Sequence, residues 1–344
     1  MNKIFNICLV IFFTVSVQAQ DIHFSQFSSA PLLLNPALTG HHPCKLRCGL
    51  NYRNQWGSIG TPFITQSGFI DTKLKAGFLG NDWFGIGGLA FNDRAGDGYL
   101  FKTKYMASAS YNKGLSSDNS FFVSLGASLG YVNRSVRFGN FYFDNQWNGF
   151  EFDQNMASYE NFAGNSYSYL DLNGGILLTY EGTRGTVFLG SSLNHINRPV
   201  DSFYGTDNRL GMKLIVHGGT EIQLSDRLGI RPEGMFTTQE LAKEIVFGLN
   251  VYMAFNDAKL YFGLWHRLAG DFIPVAGLEY KKFLFLFSKD LNVSPLYPAS
   301  HIKGGIELSL VKTFFCSDRI APGGKGKKGR GGRRNKNELC PAYR

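Results

Sequence analysis

A chain of 344 residues with 41 glycines, 15% aromatic residues and only 18% charged residues is long for one soluble core and too apolar for a disordered protein. Its net charge of +9 suggests nucleic acid until it is located: from Cys316 onward nine basic residues face two acids, leaving the body nearly neutral. A nucleic-acid surface is therefore set aside. The Gly/Lys/Arg-rich tail 316–344 reads either as a solvated end or as a contact with anionic lipid headgroups or an acidic envelope partner.

The first predicted element is a signal peptide, residues 1–19. Lys3 supplies the positive start, Ile4 to Val17 the apolar stretch, and Val17-Gln18-Ala19 a cleavage site near Ala19. The stretch falls short of the roughly 20 residues of a spanning helix. Cys8 lies within it rather than just after a cleavage point, so no lipid-anchored cysteine is expected. Residues 20–44 read as a periplasmic N-terminal segment. Pro31 and Pro36, with Pro31-Leu32-Leu33-Leu34, argue against a helix there and predict a conformation laid across the periplasmic mouth or folded into it.

From residue 45 to 315 one pattern recurs, about ten residues of alternating apolar and polar side chains followed by a turn. Along Lys45 to Trp56, Arg47, Asn51, Arg53 and Gln55 share a face with Lys45, while Leu46, Cys48, Leu50, Tyr52 and Trp56 share the other. Period two means an extended strand between two different surroundings. Ten steps of about 3.3 Å tilted by about 45° cover roughly 23 Å, close to the apolar band of an outer membrane. Phe121, Val123, Leu125, Ala127, Leu129 and Tyr131 alternate with polar neighbours in the same way, as do Ile306, Leu308 and Leu310. The fold class expected is all-β: a transmembrane antiparallel barrel of about 14 strands, even in number, with both termini periplasmic. Trp83 to Asn92 and Leu260 to His266 are apolar on both faces, which fits either packing on an interior plug or misplaced strands.

Connection lengths agree with an even count. Glu181 to Arg184, Ser225 to Arg227 and Asn256 to Asp257 are short, whereas Ser135 to Tyr167 and Ile196 to Leu210 alternate with them and are long; Thr72 to Asp82 is longer than the pattern favours. The 33-residue insertion Ser135 to Tyr167, with Trp147 near its centre, reads in two ways. It either caps the outer mouth or grips a secreted protein through its aromatics, or it is two extended strands with a folded tip.

Cys44, Cys48, Cys316 and Cys340 remain after signal removal, an even number in an oxidising compartment. Barrel closure brings Cys44, Cys48 and Cys316 to one rim. Two cysteines four apart within a strand stand about 13 Å apart, so a Cys44–Cys48 bridge requires Cys44 outside the strand. Cys316 with Cys340 would tie the tail into a loop, and all three pairings stay open. His41, His42, Cys44 and Cys48 lack the second ligand group of a metal site, and His195, His217, His266 and His301 are scattered without H-E-x-x-H or G-x-S-x-G. No enzyme activity and no cofactor are expected.

Two runs are specific enough to name a family. Asp21-Ile22-His23-Phe24-Ser25-Gln26-Phe27 precedes Pro31-Leu32-Leu33-Leu34-Asn35-Pro36-Ala37 and Gly40; Tyr52-Arg53-Asn54-Gln55-Trp56 and Asn92-Asp93-Arg94-Ala95-Gly96 follow, with Ser300-His301 ahead of the last strand. This set resembles the PorP/SprF family of type IX secretion and gliding-motility membrane proteins. The resemblance implies an outer-membrane barrel of a Bacteroidota-type cell that works with the secretion machinery and, in some members, helps a surface adhesin reach or stay at the cell surface. It makes Asp21, Phe24, Ser25, Gln26, Pro31, Asn35, Pro36 and Gly40 candidates for partner contact, beside Trp147 of the aromatic insertion, and Tyr52, Arg53, Asn54, Gln55, Trp56, Asp93, Arg94 and Gly96 the barrel signature. Arg53 would point inward, where Glu307, Glu279, Glu244, Glu233 or Glu221 can neutralise it, in a salt-bridge network that fills the barrel or along a translocation path. The competing expectation is a porin-like channel for small solutes.

Overall fold

The computed structural model describes residues 24–96, 99–118, 120–160, 164–268, 270–295 and 297–316. The signal peptide, Asp21, Cys340 and nearly all of the basic tail lie outside them. Alternation becomes fourteen antiparallel strands: β1 Cys44–Gln55, β2 Phe63–Leu74, β3 Trp83–Ala95, β4 Leu100–Gly114, β5 Phe121–Ser135, β6 Ser166–Glu181, β7 Gly185–Asn194, β8 Lys213–Gln223, β9 Leu228–Gln239, β10 Ala242–Ala254, β11 Ala258–Arg267, β12 Asp271–Tyr280, β13 Phe283–Asn292 and β14 Lys303–Cys316. Each pairs with its neighbours in sequence, and β1 pairs with β14 in the register Arg53↔Glu307, Leu50↔Leu310 and Cys44↔Cys316, closing the barrel. Closure leaves no unpaired edge, the condition for crossing lipid with strands. Among the described residues no helix is long and apolar enough to span a bilayer.

The faces are inverted relative to a soluble protein. In β1, Arg47, Asn51 and Arg53 are buried while Leu50 is 62% exposed; Phe262, Leu264, Phe285 and Leu310 likewise point out. An apolar exterior around a polar interior is what lipid outside and a closed lumen inside require. Connections 75–82, 182–184, 224–227, 255–257 and 281–282 share the end at which β1 starts and β14 finishes, here the near end; 56–62, 136–165, 195–212 and 293–302 share the far end. The length of 75–82 accommodates a 3₁₀ turn, Gly77–Leu79. Strands β4, β5 and β6, of 15, 15 and 16 residues, exceed the roughly 9–11 needed to cross, and β5 and β6 flank the long connection 136–165.

The lumen is occupied by the N-terminal segment. It comprises a 3₁₀ turn Phe27–Ser29, one turn of helix, α1 Pro31–Leu34, and a second 3₁₀ turn Pro36–Leu38. The expectation that prolines exclude helix here is corrected: each proline opens its turn, where the missing N–H bond is not needed and the fixed φ fits. The segment rises from Cys44 at the near rim to Ser25 beside Arg53, Arg267 and Asp290 in the far half. The strands therefore begin and end at one rim, but Phe24, the first described residue, lies beyond the midpoint toward the other.

Candidate functional site: the lumen and its N-terminal segment

Three clusters hold the segment. In the far half the hydroxyl of Ser25 donates to Asp290 (2.9 Å) and accepts from the guanidinium groups of Arg53 (2.9 Å) and Arg267 (2.7 Å). The backbone N–H groups of Ser25 and Gln26 donate to the two carboxylate oxygens of Glu307 at 2.6 and 3.0 Å. Arg53 also bridges Glu307 and Asp290, and Arg267 pairs with Glu244 and Asp271. Charges this deep are tolerated because they are paired and because the segment supplies further donors.

At mid-height the Asn35 side-chain amide donates to the carbonyls of Ile176 (2.9 Å) and Ser191 (3.2 Å), lies 3.1 Å from His217 Nε2, and its oxygen accepts from Ala37 N–H (2.9 Å). Here the wall is cut away. A Cβ on Gly85 would meet the Thr39 carbonyl at 2.0 Å, on Gly126 the Pro36–Ala37 peptide at 2.3 Å, and on Gly175 the Asn35 side chain at 2.0 Å. Three strands thus use glycine so that residues 35–39 can lie against them, by backbone at Gly85 and Gly126 and by the Asn35 side chain at Gly175. Apolar contacts fill the remainder: Phe27 meets Trp265 edge-on at 5.3 Å, and Leu32, Leu34, Phe91 and Met106 share one buried cluster. The two stretches apolar on both faces are therefore genuine strands packed against an interior element.

Toward the near rim Gly40 N–H donates to Asp71 (2.7 Å), which also receives Arg47 at 2.8 and 2.9 Å, while the indole of Trp83 donates to the Gly40 carbonyl (3.1 Å). His41 contacts Asn112 (3.0 Å) and Thr179 (3.1 Å). Burial lowers the His41 pKa to about 4, against the opposing Asn112 hydrogen bond, and burial with the neighbouring Arg47 depresses His42 as well.

The built interface changes the role of the candidate contact residues. Phe24, Ser25, Gln26, Pro31, Asn35, Pro36 and Gly40 are all buried, so in this conformation they contact the barrel's own wall rather than a partner. Of the barrel signature, Arg53 joins the far cluster. Tyr52 is on the outer face, and Trp56, at φ 62°, starts the far turn. Asp93 accepts from Thr65 (2.6 Å), Arg94 stands 5.3 Å over the Tyr99 ring, and Gly96 takes φ 63° at the turn.

A family model described as type IX secretion system membrane protein PorP/SprF matches residues 16–309. The chain belongs to the PorP/SprF family. Membership makes it an outer-membrane β-barrel of type IX secretion, a family of membrane proteins rather than of enzymes. Among solved structures, the PorP/SprF barrel is similar to the Ralstonia pickettii toluene transporter TbuX at 11% identity and TM-score 0.46, covering 86% of this chain and 96% of that one. It is also similar to the Pseudomonas putida toluene transporter TodX at 11% identity and TM-score 0.44, covering 82% and 92%. A search of curated proteins finds no match.

At the far end of the PorP/SprF barrel, Phe203 packs edge-on to Tyr167 (4.6 Å) and Phe138 (6.1 Å), and Arg134 pairs with Asp201 at 2.6 Å, tying connection 195–212 to the base of 136–165. The tip carries turns Phe138–Asn140 and Asp144–Gln146 and a bridge Trp147↔Phe152. Trp147 is 50% exposed, Phe150 93% and Tyr159 83%. At the near rim Cys44 and Cys316 form a disulfide that joins the first strand to the last. Cys48 is a free thiol on the outer wall, so it bonds with neither, and among the described residues no three of His, Cys, Asp or Glu, these included, are grouped so as to hold a metal ion. Sequence reasoning missed Asp290, Arg267, Asp71 and the glycine notch. The first three carried an inward parity within their strands; the glycines carried no local signal at all.

Proposed function

We propose that this PorP/SprF barrel serves type IX secretion by protein contact rather than by passing solutes, engaging the secretion machinery at the near end and holding or helping export a surface protein such as an adhesin. The near end is the periplasmic one in this reading, because its connections are all short and the longest ones, 136–165 and 195–212, stand at the far end. The observation that carries the proposal is the filled lumen. Beside Phe24, Phe27, Leu33, Leu34 and Met235 the space left is about 30 Å³, room for a water or two. The exposed aromatics Trp147, Phe150 and Tyr159 are the far-end candidates for cargo contact, since rigid amphipathic rings anchor protein interfaces.

Cross-linking and pull-down of the native protein from outer membranes test this reading. Recovery of secretion-machinery subunits or a surface adhesin supports it, and recovery of neither sinks it. Large stable conductance of the intact protein in planar bilayers would favour the porin-like alternative instead.

A further inference from the structure

Two depressions meet at the near rim and share Lys312 and Phe314. One, of about 610 Å³, lies on the lipid-facing wall; Gly68, Gly88 and Ala90 form its floor, and Leu50, Ile70 and Leu310 its sides. The registers place these residues in two adjacent outward rows: Phe283, Lys312, Cys48, Ile70 and Gly88 in one, Leu310, Leu50, Gly68 and Ala90 in the next. The second depression, of about 580 Å³, opens at the rim itself and is lined by Lys259, Lys281, Lys282 and Lys312 against Asp257 and Glu279. One is apolar and the other cationic, and they adjoin.

The lysines are held for this geometry. Lys312 Nζ lies 3.6 Å from the Phe283 ring centroid and donates to the Lys281 carbonyl (2.8 Å), so its ammonium sits at the junction of the two depressions. Lys281 and Lys282 form a two-residue connection with φ 48° and 68°, a conformation that ordinarily selects Asn-Gly. Of the rim acids, Glu279 is engaged internally, accepting from Tyr261 at 2.9 Å with Lys259 at 3.5 Å.

We propose that this paired site binds an anionic diacyl phospholipid, its phosphate at Lys281, Lys282 and Lys312 and an acyl chain in the glycine-floored groove. An apolar groove alone would accept any lipid tail, and lysines alone any anion; their junction at Lys312 selects a molecule with both. The orientation proposed above puts this rim at the inner, phospholipid leaflet, and the choice of phospholipid over lipid A rests on that reading; the geometry of the site does not.

Native mass spectrometry of the detergent-purified protein, titrated separately with phosphatidylglycerol, phosphatidylethanolamine and lipid A, tests the proposal. Phosphatidylglycerol should be retained in preference to the other two. Lys312→Gln should weaken its retention about fivefold, in keeping with the usual worth of one basic side chain at an anionic membrane surface. Gly88→Leu, whose Cβ meets only the Met106 carbonyl at 3.7 Å, should fill the groove and lower retention with every lysine in place. Lys289→Gln, removing an exposed lysine toward the far end of β13, should change nothing. Equal retention of phosphatidylglycerol and phosphatidylethanolamine, preference for lipid A, or a Lys312→Gln variant indistinguishable from Lys289→Gln would overturn the site. Lys312→Gln alone decides it if Gly88→Leu does not fold.

Discussion

Arg53→Met should loosen the N-terminal segment without opening the barrel. Arg53 bridges Glu307 and Asp290 and donates to the Ser25 hydroxyl, all within a cluster almost closed to water. Removing one partner of a buried ion pair costs about 3–5 kcal/mol. The lower end applies, because Glu307 keeps the N–H groups of Ser25 and Gln26 and Asp290 keeps Ser25 and Arg267. A loss of about 3 kcal/mol in docking raises the undocked population on the order of a hundredfold. Residues 24–43 contain no lysine or arginine but do contain Phe27 and Leu32 to Leu34, so chymotrypsin is the suitable probe. Under conditions where opening and closing outpace cleavage, the cutting rate should rise by the same factor. Arg53→Lys, which keeps the charge but not the two-carboxylate fork, should fall between. Arg53→Met combined with Glu307→Gln should cost less than the sum of the two single changes. Cleavage of Arg53→Met within threefold of the parent rate would refute the assignment of Arg53 as a latch.

Gly126→Val should displace the segment at mid-height, since its Cβ alone would sit 2.3 Å from the Pro36–Ala37 peptide, and planar-bilayer conductance should rise; Gly139→Val, with nothing within 4 Å, should leave conductance unchanged. Acidification should act in the same direction. His41 binds its proton near pH 4 when docked and near pH 6.5 when released, so between those values the released state holds more protons and docking weakens as pH falls, read as conductance that grows from pH 6.5 toward pH 4. Cys44→Ser removes a link closing 272 residues of sequence separation; chain entropy sets an upper bound of about 5.6 kcal/mol, and the urea midpoint of the folded band on unheated gels should fall to that of the reduced parent. Thiol labelling of the folded, unreduced protein should modify Cys48 and spare Cys44 and Cys316.

The barrel was legible because its cause is local. A side chain's neighbours at two-residue spacing decide which face it shares, so Leu46 to Trp56 and Phe121 to Tyr131 announced strands, faces and lipid without any knowledge of partners. The same parity placed Arg53 inward, and the motif Phe24-Ser25-Gln26 to Gly40 marked the segment that matters. Its role was not legible. In this conformation Phe24, Ser25, Gln26, Pro31, Asn35, Pro36 and Gly40 contact the barrel's own wall, because burial depends on what closes around a segment and not on its composition. Arg53 meets Asp290 across 237 positions and Glu307 across 254, and these follow from the registers that β1 and β13 adopt on β14 and from the segment threading beside them. Gly85, Gly126 and Gly175 read in sequence as ordinary strand glycines. Only the closed barrel shows that each omits a side chain where residues 35–39 must pass. Alternation by itself determined that this chain crosses a membrane as strands; the long-range register of the closed sheet decided that the lumen is filled, by which residues, and through which charges, since those contacts exist only after closure brings distant positions together.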